Sequence, residues 1–275
     1  TSSEMVLFHG PTYINFDSTN VICNKGYYDT NKEFLNLYQG ATIINDSTST
    51  IYADSLTYDQ TTEIAKGFYN VSIYDSLEQV ELKSEYLITN RISNNTTLKN
   101  NARIYQYQET DTLFIRADTI YQSTNDSTNQ MTSIAVNNVV IINSGAVGIC
   151  DSIYYSEADS IIKLRKSPML WQELTQLSGD SINITLIDNS FDQIFLHSKA
   201  LVVTQHDSIH YDQLSGKNII ATFKNKDVNN IFINVNAQTL YYPSETKTDS
   251  LNKETKILKG KNHLLCDQIL IYFKK

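Results

Sequence analysis

Carboxylates recur along this chain of 275 residues in one fixed setting. A small residue comes first, then an acidic one, then any residue, then an aliphatic. The frame reads Ala53-Asp54-Ser55-Leu56, Ser84-Glu85-Tyr86-Leu87, Ala117-Asp118-Thr119-Ile120 and Cys150-Asp151-Ser152-Ile153. It returns as Gly179-Asp180-Ser181-Ile182, His206-Asp207-Ser208-Ile209 and Cys266-Asp267-Gln268-Ile269. Paired carboxylates could exchange protons with a substrate. A catalytic pair, however, is a single event in a chain, whereas these positions return with a period. An Asp at a bend also accepts local backbone hydrogen bonds, and the repetition favours that structural role.

Other reactive types give weaker leads. His206 and His210 have the four-residue spacing that places two ligands on one helix face. On a strand they stand roughly 13 Å apart, too far to share a metal. Cys23, Cys150 and Cys266 are odd in number and lack metal-ligand spacing. Each occupies the small-residue slot of the motif, where a thiol acts as a small apolar group; a disulfide between two of them stays open. Lys163, Arg165 and Lys166 form the best anion-contact candidate. Lys253, Lys256, Lys259 and Lys261 form a second basic tract. A nucleophile elbow, a phosphate loop and a dinucleotide fingerprint are all missing, and no cofactor is implied.

The elements that carry these residues repeat. The motif aliphatics are 31, 33, 33, 29, 27 and 60 residues apart, the last being about two periods. A degenerate copy, Cys23-Asn24-Lys25-Gly26, precedes them. A second series alternates with the first: Gly40-Ala41-Thr42-Ile43, Asn70-Val71-Ser72-Ile73, Asn101-Ala102-Arg103-Ile104, Asn138-Val139-Val140-Ile141, Pro168-Met169-Leu170-Trp171, Lys199-Ala200-Leu201-Val202 and Asn236-Ala237-Gln238-Thr239. Two interleaved series imply units of about thirty residues, each with two extended segments and two turns.

Strands are expected throughout. Tyr, Ile, Thr, Val and Phe suit a pleated, half-buried surface, and Val71-Ser72-Ile73-Tyr74 alternates with period two. Asn94-Asn95 and Thr124-Asn125-Asp126-Ser127 mark turns. With nine Gly and three Pro, Asn and Asp must supply most left-handed positions. Met169, Leu170, Glu173, Leu174 and Leu177 have helical spacing, but the register of the flanking motifs favours strand. At each acidic position the inward parity changes by one residue. Ile51 and Ala53 precede Asp54, whereas Leu56 and Tyr58 follow it. A bulge or corner at the acidic residue would restore the inward face.

The expected fold is therefore all-β: a bent, open roll of stacked antiparallel strands with an apolar interior. Residues 1–275 read as one elongated domain, with a softer joint near 123–132. The opening Thr1-Ser2-Ser3-Glu4 reads as a trimmed boundary. A net charge of −8 without a basic stripe argues against nucleic acid, which requires many phosphate-neutralising side chains. No apolar run reaches the length of a membrane-spanning helix.

Repeated Ala-Asp-x-Leu-x-Tyr followed by Gly/Asn-Asn-Val-x-Ile resembles the OstA-like family. That family includes the periplasmic bridge protein of lipopolysaccharide transport and the N-terminal domain of its outer-membrane partner. Tyr52 to Asp59 with Ala65 to Ile73 carries the resemblance, as does the stretch from Ser167 to Ile182. It covers roughly residues 20–273 and suggests a divergent branch.

The resemblance implies a β-jellyroll whose groove holds the acyl chains of lipopolysaccharide or a related glycolipid. It implies a non-enzymatic, periplasmic protein that joins similar rolls, or copies of itself, by end-to-end strand addition. The groove candidates after the acidic residue are Leu56, Leu87, Ile120, Ile153, Ile182, Ile209 and Ile269. From the second series come Val71, Ile73, Ile104, Val139, Ile141 and Trp171. The alternative is a structural or adhesive β-solenoid that binds a protein or glycan, for which Tyr27-Tyr28, Tyr154-Tyr155 and Tyr241-Tyr242 would form exposed rows. A polysaccharide-degrading solenoid would need one carboxylate cluster that breaks the repeat, and the sequence shows none.

Overall fold

A computed structural model describes residues 4–16, 19–45, 49–109, 111–188, 190–225, 227–248 and 254–273. Among them every regular element is a β-strand. The chain divides into two compact units, residues 1–144 with 152–158, and residues 145–151 with 159–275. The polar stretch 123–132, read as a joint, instead forms a hairpin turn within the first unit, closed by Asn125 N–H donating to the Gln130 carbonyl at 3.0 Å.

The first unit opens with four short strands, β1 (Met5–Phe8), β2 (Thr12–Phe16), β3 (Thr19–Cys23) and β4 (Lys25–Asp29). Longer ones follow: β5 (Phe34–Asn45), β6 (Ser49–Asp59), β7 (Ile64–Asp75), β8 (Val80–Asn90), β9 (Asn95–Tyr107), β10 (Thr112–Thr124) and β11 (Met131–Ile142). From β5 to β11 each strand pairs antiparallel with the next. Short turns make this possible. Asp59, Asp75 and Asn90 each end a strand and accept N–H groups two or three residues on, at 2.9–3.1 Å. Such side chains mimic a backbone turn. Glu63, Gln79 and Asn94 then take positive φ before the next strand.

Strand β12 (Ala146–Ser156) contributes residues to both units. The second unit continues with β13 (Ile161–Arg165), β14 (Met169–Gln172), β15 (Thr175–Ser178), β16 (Ser181–Ile187), β17 (Ser190–Gln205), β18 (Tyr211–Lys224) and β19 (Asp227–Tyr241). Strands β20 (Ser244–Thr248) and β21 (Glu254–Leu258) form a separate hairpin, and β22 (Asn262–Tyr272) pairs with β19. The segment with helical spacing is the hairpin β14–β15, with Trp171 opposite Gln176. Strand β17 pairs with β16 along its first half and β15 along its second, so these two are one strand interrupted at Gly179-Asp180.

The register shows how the strands bend. Between β5 and β6, Ala41 pairs with Ala53 and Tyr38 with Ser55, so Gln39 and Gly40 together oppose Asp54. Tyr69 and Asn70 oppose Asp54 from the other side and Glu85 beyond. The same arrangement places Asn100-Asn101 and Asn137-Asn138 beside Asp118. It recurs with Ser198-Lys199 beside Asp180, and with Val235-Asn236 beside Asp267. Both residues of every such pair have positive φ. Asn and Gly tolerate that region best, which explains the Asn doublets. The inserted residue therefore lies on the strand facing the carboxylate, whereas parity alone had placed the bulge at the carboxylate itself. Across the bulge the facing strand keeps its inward parity at a spacing of four, as in Leu98 and Ala102 or Ile233 and Ala237.

Candidate functional site

The bulge separates two rows of inward side chains. In the first unit the large row runs Leu37, Leu56, Gly67, Leu87, Leu98, Ile120, Ala135, each directly opposite the next. In the second it runs Leu164, Ile182, Leu196, Ile219, Ile233, Ile269. The small row includes Ala53, Val71, Ser84, Ala102, Ala117 and Val139, then Pro168, Ala200 and Ala237, all buried. Small side chains let the strands approach one another at the bend, and large ones fill the space beside it.

A third row of the first unit lies above the small one: Ile51, Ile73, Leu82, Ile104, Ile115, Ile141. Leu82 is buried, and the others are half-buried. The corresponding row of the second unit is Leu170, Leu177, Val202, Leu214, Thr239, Leu264. It ends in the open, with Leu264 48% exposed.

Most of the groove candidates belong to these rows. Leu56, Val71, Leu87, Ile120, Val139, Ile153, Ile182 and Ile269 are buried at 9% exposure or less. Ile73, Ile104 and Ile141 lie in the half-buried third row. Two candidates are corrected. Ile209 is 75% exposed, in the turn between β17 and β18, where its N–H donates to Asp207 Oδ1 at 2.9 Å. The motif copy of this unit is Gly216-Lys217-Asn218-Ile219. Lys217 faces the left-handed pairs Ser198-Lys199 and Val235-Asn236, and Ile219 is 1% exposed. A lysine in the acidic slot concealed it. Trp171 is corrected to the opposite face of its sheet. Pro168, rather than Met169, follows the left-handed pair Lys166-Ser167 and is buried. That one-residue shift turns Leu170 inward and Trp171 outward beside Val147, and Trp171 Nε1–H donates to Gln176 Oε1 at 3.1 Å.

The recurrent carboxylates bind the bulges. Asn70 Nδ2 donates to Asp54 at 2.8 Å and Asn138 Nδ2 to Asp118 at 2.9 Å. Lys166 pairs with Asp151 at 2.8 Å and Lys199 with Asp180 at 3.1 Å. Each partner has positive φ, Lys166 in the bend between β13 and β14 and the others within the facing strand. The basic cluster is accordingly dispersed: Lys166 serves its bulge, and Arg165 donates to Asn183 Oδ1 at 2.8 Å. Lys163 shares the outer face of β13 with Arg165, opposite Asn183. In the second basic tract Lys259 pairs with Glu245, while Lys253 and the side chain of Lys256 lie outside the described residues.

His206 and His210 flank a turn instead of occupying a strand. Their Nδ1 atoms face Asp212 at 3.6 Å and Asp207 at 2.8 Å respectively. Among the described residues no disulfide joins the cysteines. Burial pushes the Cys23 thiol pKa up.

Strand β22 completes the picture. Among the described residues only β19 pairs with it, which leaves the other edge with unpaired backbone groups. Both of its faces carry apolar side chains. Leu265 is 60% exposed, Leu270 49% and Tyr272 69%. An edge strand of eleven residues with exposed Leu265, Leu270 and Tyr272 is a template for strand addition.

No protein-family model matches the chain, and no curated protein does.

Proposed function

We propose that this protein is a non-enzymatic carrier of an amphipathic glycolipid, lipopolysaccharide or a relative, working in the periplasm as an OstA-like β-jellyroll. The observation that carries the reading is the inward apolar row of the second unit, which runs from Leu170 to Leu264 and reaches solvent at the unpaired edge of β22. Such a row can shield acyl chains, at roughly 0.8 kcal/mol per buried methylene. The same edge suits end-to-end addition of another roll or another copy. The repeated bulges and the sequence resemblance agree with this reading.

A second reading, a structural or adhesive solenoid, draws on the filled interior. Leu37, Leu87, Ile120 and Ile182 are 0% exposed, covered by the protein's own atoms. A photo-crosslinking residue separates the two. Placed at Ile104 or Leu264 in cells, it forms adducts with lipopolysaccharide under the carrier reading, whereas the same residue at turn position Asn125 does not. A folded protein without adducts at either of these two sites would favour the solenoid.

A further inference from the structure

The outer face of the first unit carries a row that folding alone does not favour. Lys83 lies directly opposite Arg103, and Arg103 directly opposite Arg116, on three consecutive strands. Like charges in that position repel. Lys83 is compensated by Glu81 at 2.8 Å. Arg103 donates from Nε to the neutral Asn101 Oδ1 at 3.2 Å. Among the described residues no carboxylate pairs with Arg103 or Arg116. In a chain of net charge −8, three cations stand side by side here and one of them is in a salt bridge.

Aromatic rings adjoin the row. Along the next rung Tyr74 faces Glu81, Glu81 faces Tyr105, and Tyr105 faces Phe114. Tyr105 and Phe114 have ring centroids 5.1 Å apart, and Tyr107 stacks near Tyr105 at 6.3 Å. Lys83 Nζ stands 5.4 Å from the Tyr105 centroid. Glu81 fixes this surface from beneath, accepting from Ser72 at 3.2 Å and Tyr107 at 2.7 Å. The result is a set of held aromatic rings beside two guanidinium groups with unused donors.

We propose that this face binds an acidic oligosaccharide. A sugar ring offers an apolar C–H face to Tyr105 or Phe114 and carries carboxylate, sulfate or phosphate at its rim. Arginine presents a planar fork that matches such groups. Strand spacing of about 4.8 Å sets the guanidinium groups a short step apart, as charges along a modified glycan are. Nucleic acid fits less well, because its dense backbone charge calls for more cations than this row supplies. The site lies on the face opposite the apolar interior and does not depend on the carrier reading.

The test is titration of the whole chain at low salt with a heparin-derived octasaccharide, a neutral dextran octasaccharide and an eight-residue oligothymidylate. The expected result is binding of the heparin octasaccharide alone, weakened on the order of tenfold by Arg103→Gln or Arg116→Gln. Both variants should unfold at the same temperature as the parent or higher, since a repulsion is relieved. Equal or tighter binding of oligothymidylate would assign the face to nucleic acid and overturn the proposal. Unchanged heparin affinity in both variants would also overturn it, as would a lowered unfolding temperature in both, which would make the row a structural device.

Discussion

Ile219 stands directly opposite Ile233 across β18 and β19, and the two side chains are 1% and 0% exposed. Leu196 flanks Ile219 on its other side. Truncation here leaves a cavity between closely paired strands, so Ile219→Ala should destabilise the protein by about 2–5 kcal/mol. Ile209→Ala, ten residues upstream in an exposed turn, should change stability by less than about 0.5 kcal/mol. Chemical denaturation of both variants measures the contrast. Equal effects would mean that the register of β18 is wrong.

Val235 carries a φ of 63° in the bulge that faces Lys217 and Asp267. A β-branched residue pays for the left-handed region, whereas Asn tolerates it. Two of the corresponding seats in the first unit are filled by Asn100 and Asn137, the others by the unbranched Gln39 and by Tyr69. Val235→Asn should therefore stabilise by about 1 kcal/mol, read as a higher unfolding temperature. A loss of stability would show that packing of the half-buried valine outweighs the backbone strain.

The strand fold and the position of most bends were legible because parity must be restored wherever one face is buried. Leu56, Leu87, Ile120 and Ile182 were found in this way. The same pattern failed at Gly216-Lys217-Asn218-Ile219, because a lysine occupies the acidic slot and a similar tetrad, His206-Asp207-Ser208-Ile209, lies in the nearby turn. It failed at Trp171 because Pro168 fills a slot otherwise held by Ala or Val, so the strand was read one residue out of register. The side of the bulge was visible only indirectly, in the Asn doublets and the spacing of four between Leu98 and Ala102. The Lys83, Arg103 and Arg116 row could not be seen at all, since it spans three strands and depends on their pairing.

Tyr107 donates its phenol hydrogen to Glu81 at 2.7 Å. That bond first, then burial and the nearby charge, pushes the tyrosine pKa up to about 12. The fold thus prefers the protonated phenol. Its contribution is complete below the unfolded value of about 10 and is lost as the pH rises through the folded value. Alkaline titration by ultraviolet absorbance should show Tyr107→Phe lacking one tyrosine that ionises near the upper value. The variant should also lose less stability between those two limits than the parent. A missing phenol that titrates near 10 would show that the bond to Glu81 does not persist in solution.

The edge of β22 supplies the last prediction. Leu265 and Leu270 are exposed on the outer face of β22, whose second edge pairs with no strand among the described residues. Charged residues on an edge discourage pairing with another chain. If strand addition is how this end works, the parent should associate with itself or with a partner roll in a concentration-dependent way. The double variant Leu265→Lys, Leu270→Lys should shift it to monomer, with little change in unfolding temperature because both positions are solvated. Sedimentation velocity across a range of concentrations reads the result. Association that persists unchanged in a folded double variant would place the contact elsewhere and remove the edge from the carrier reading. Loss of association together with retained lipid adducts at Ile104 would separate the two halves of that reading, assigning β22 to assembly and the interior row to cargo.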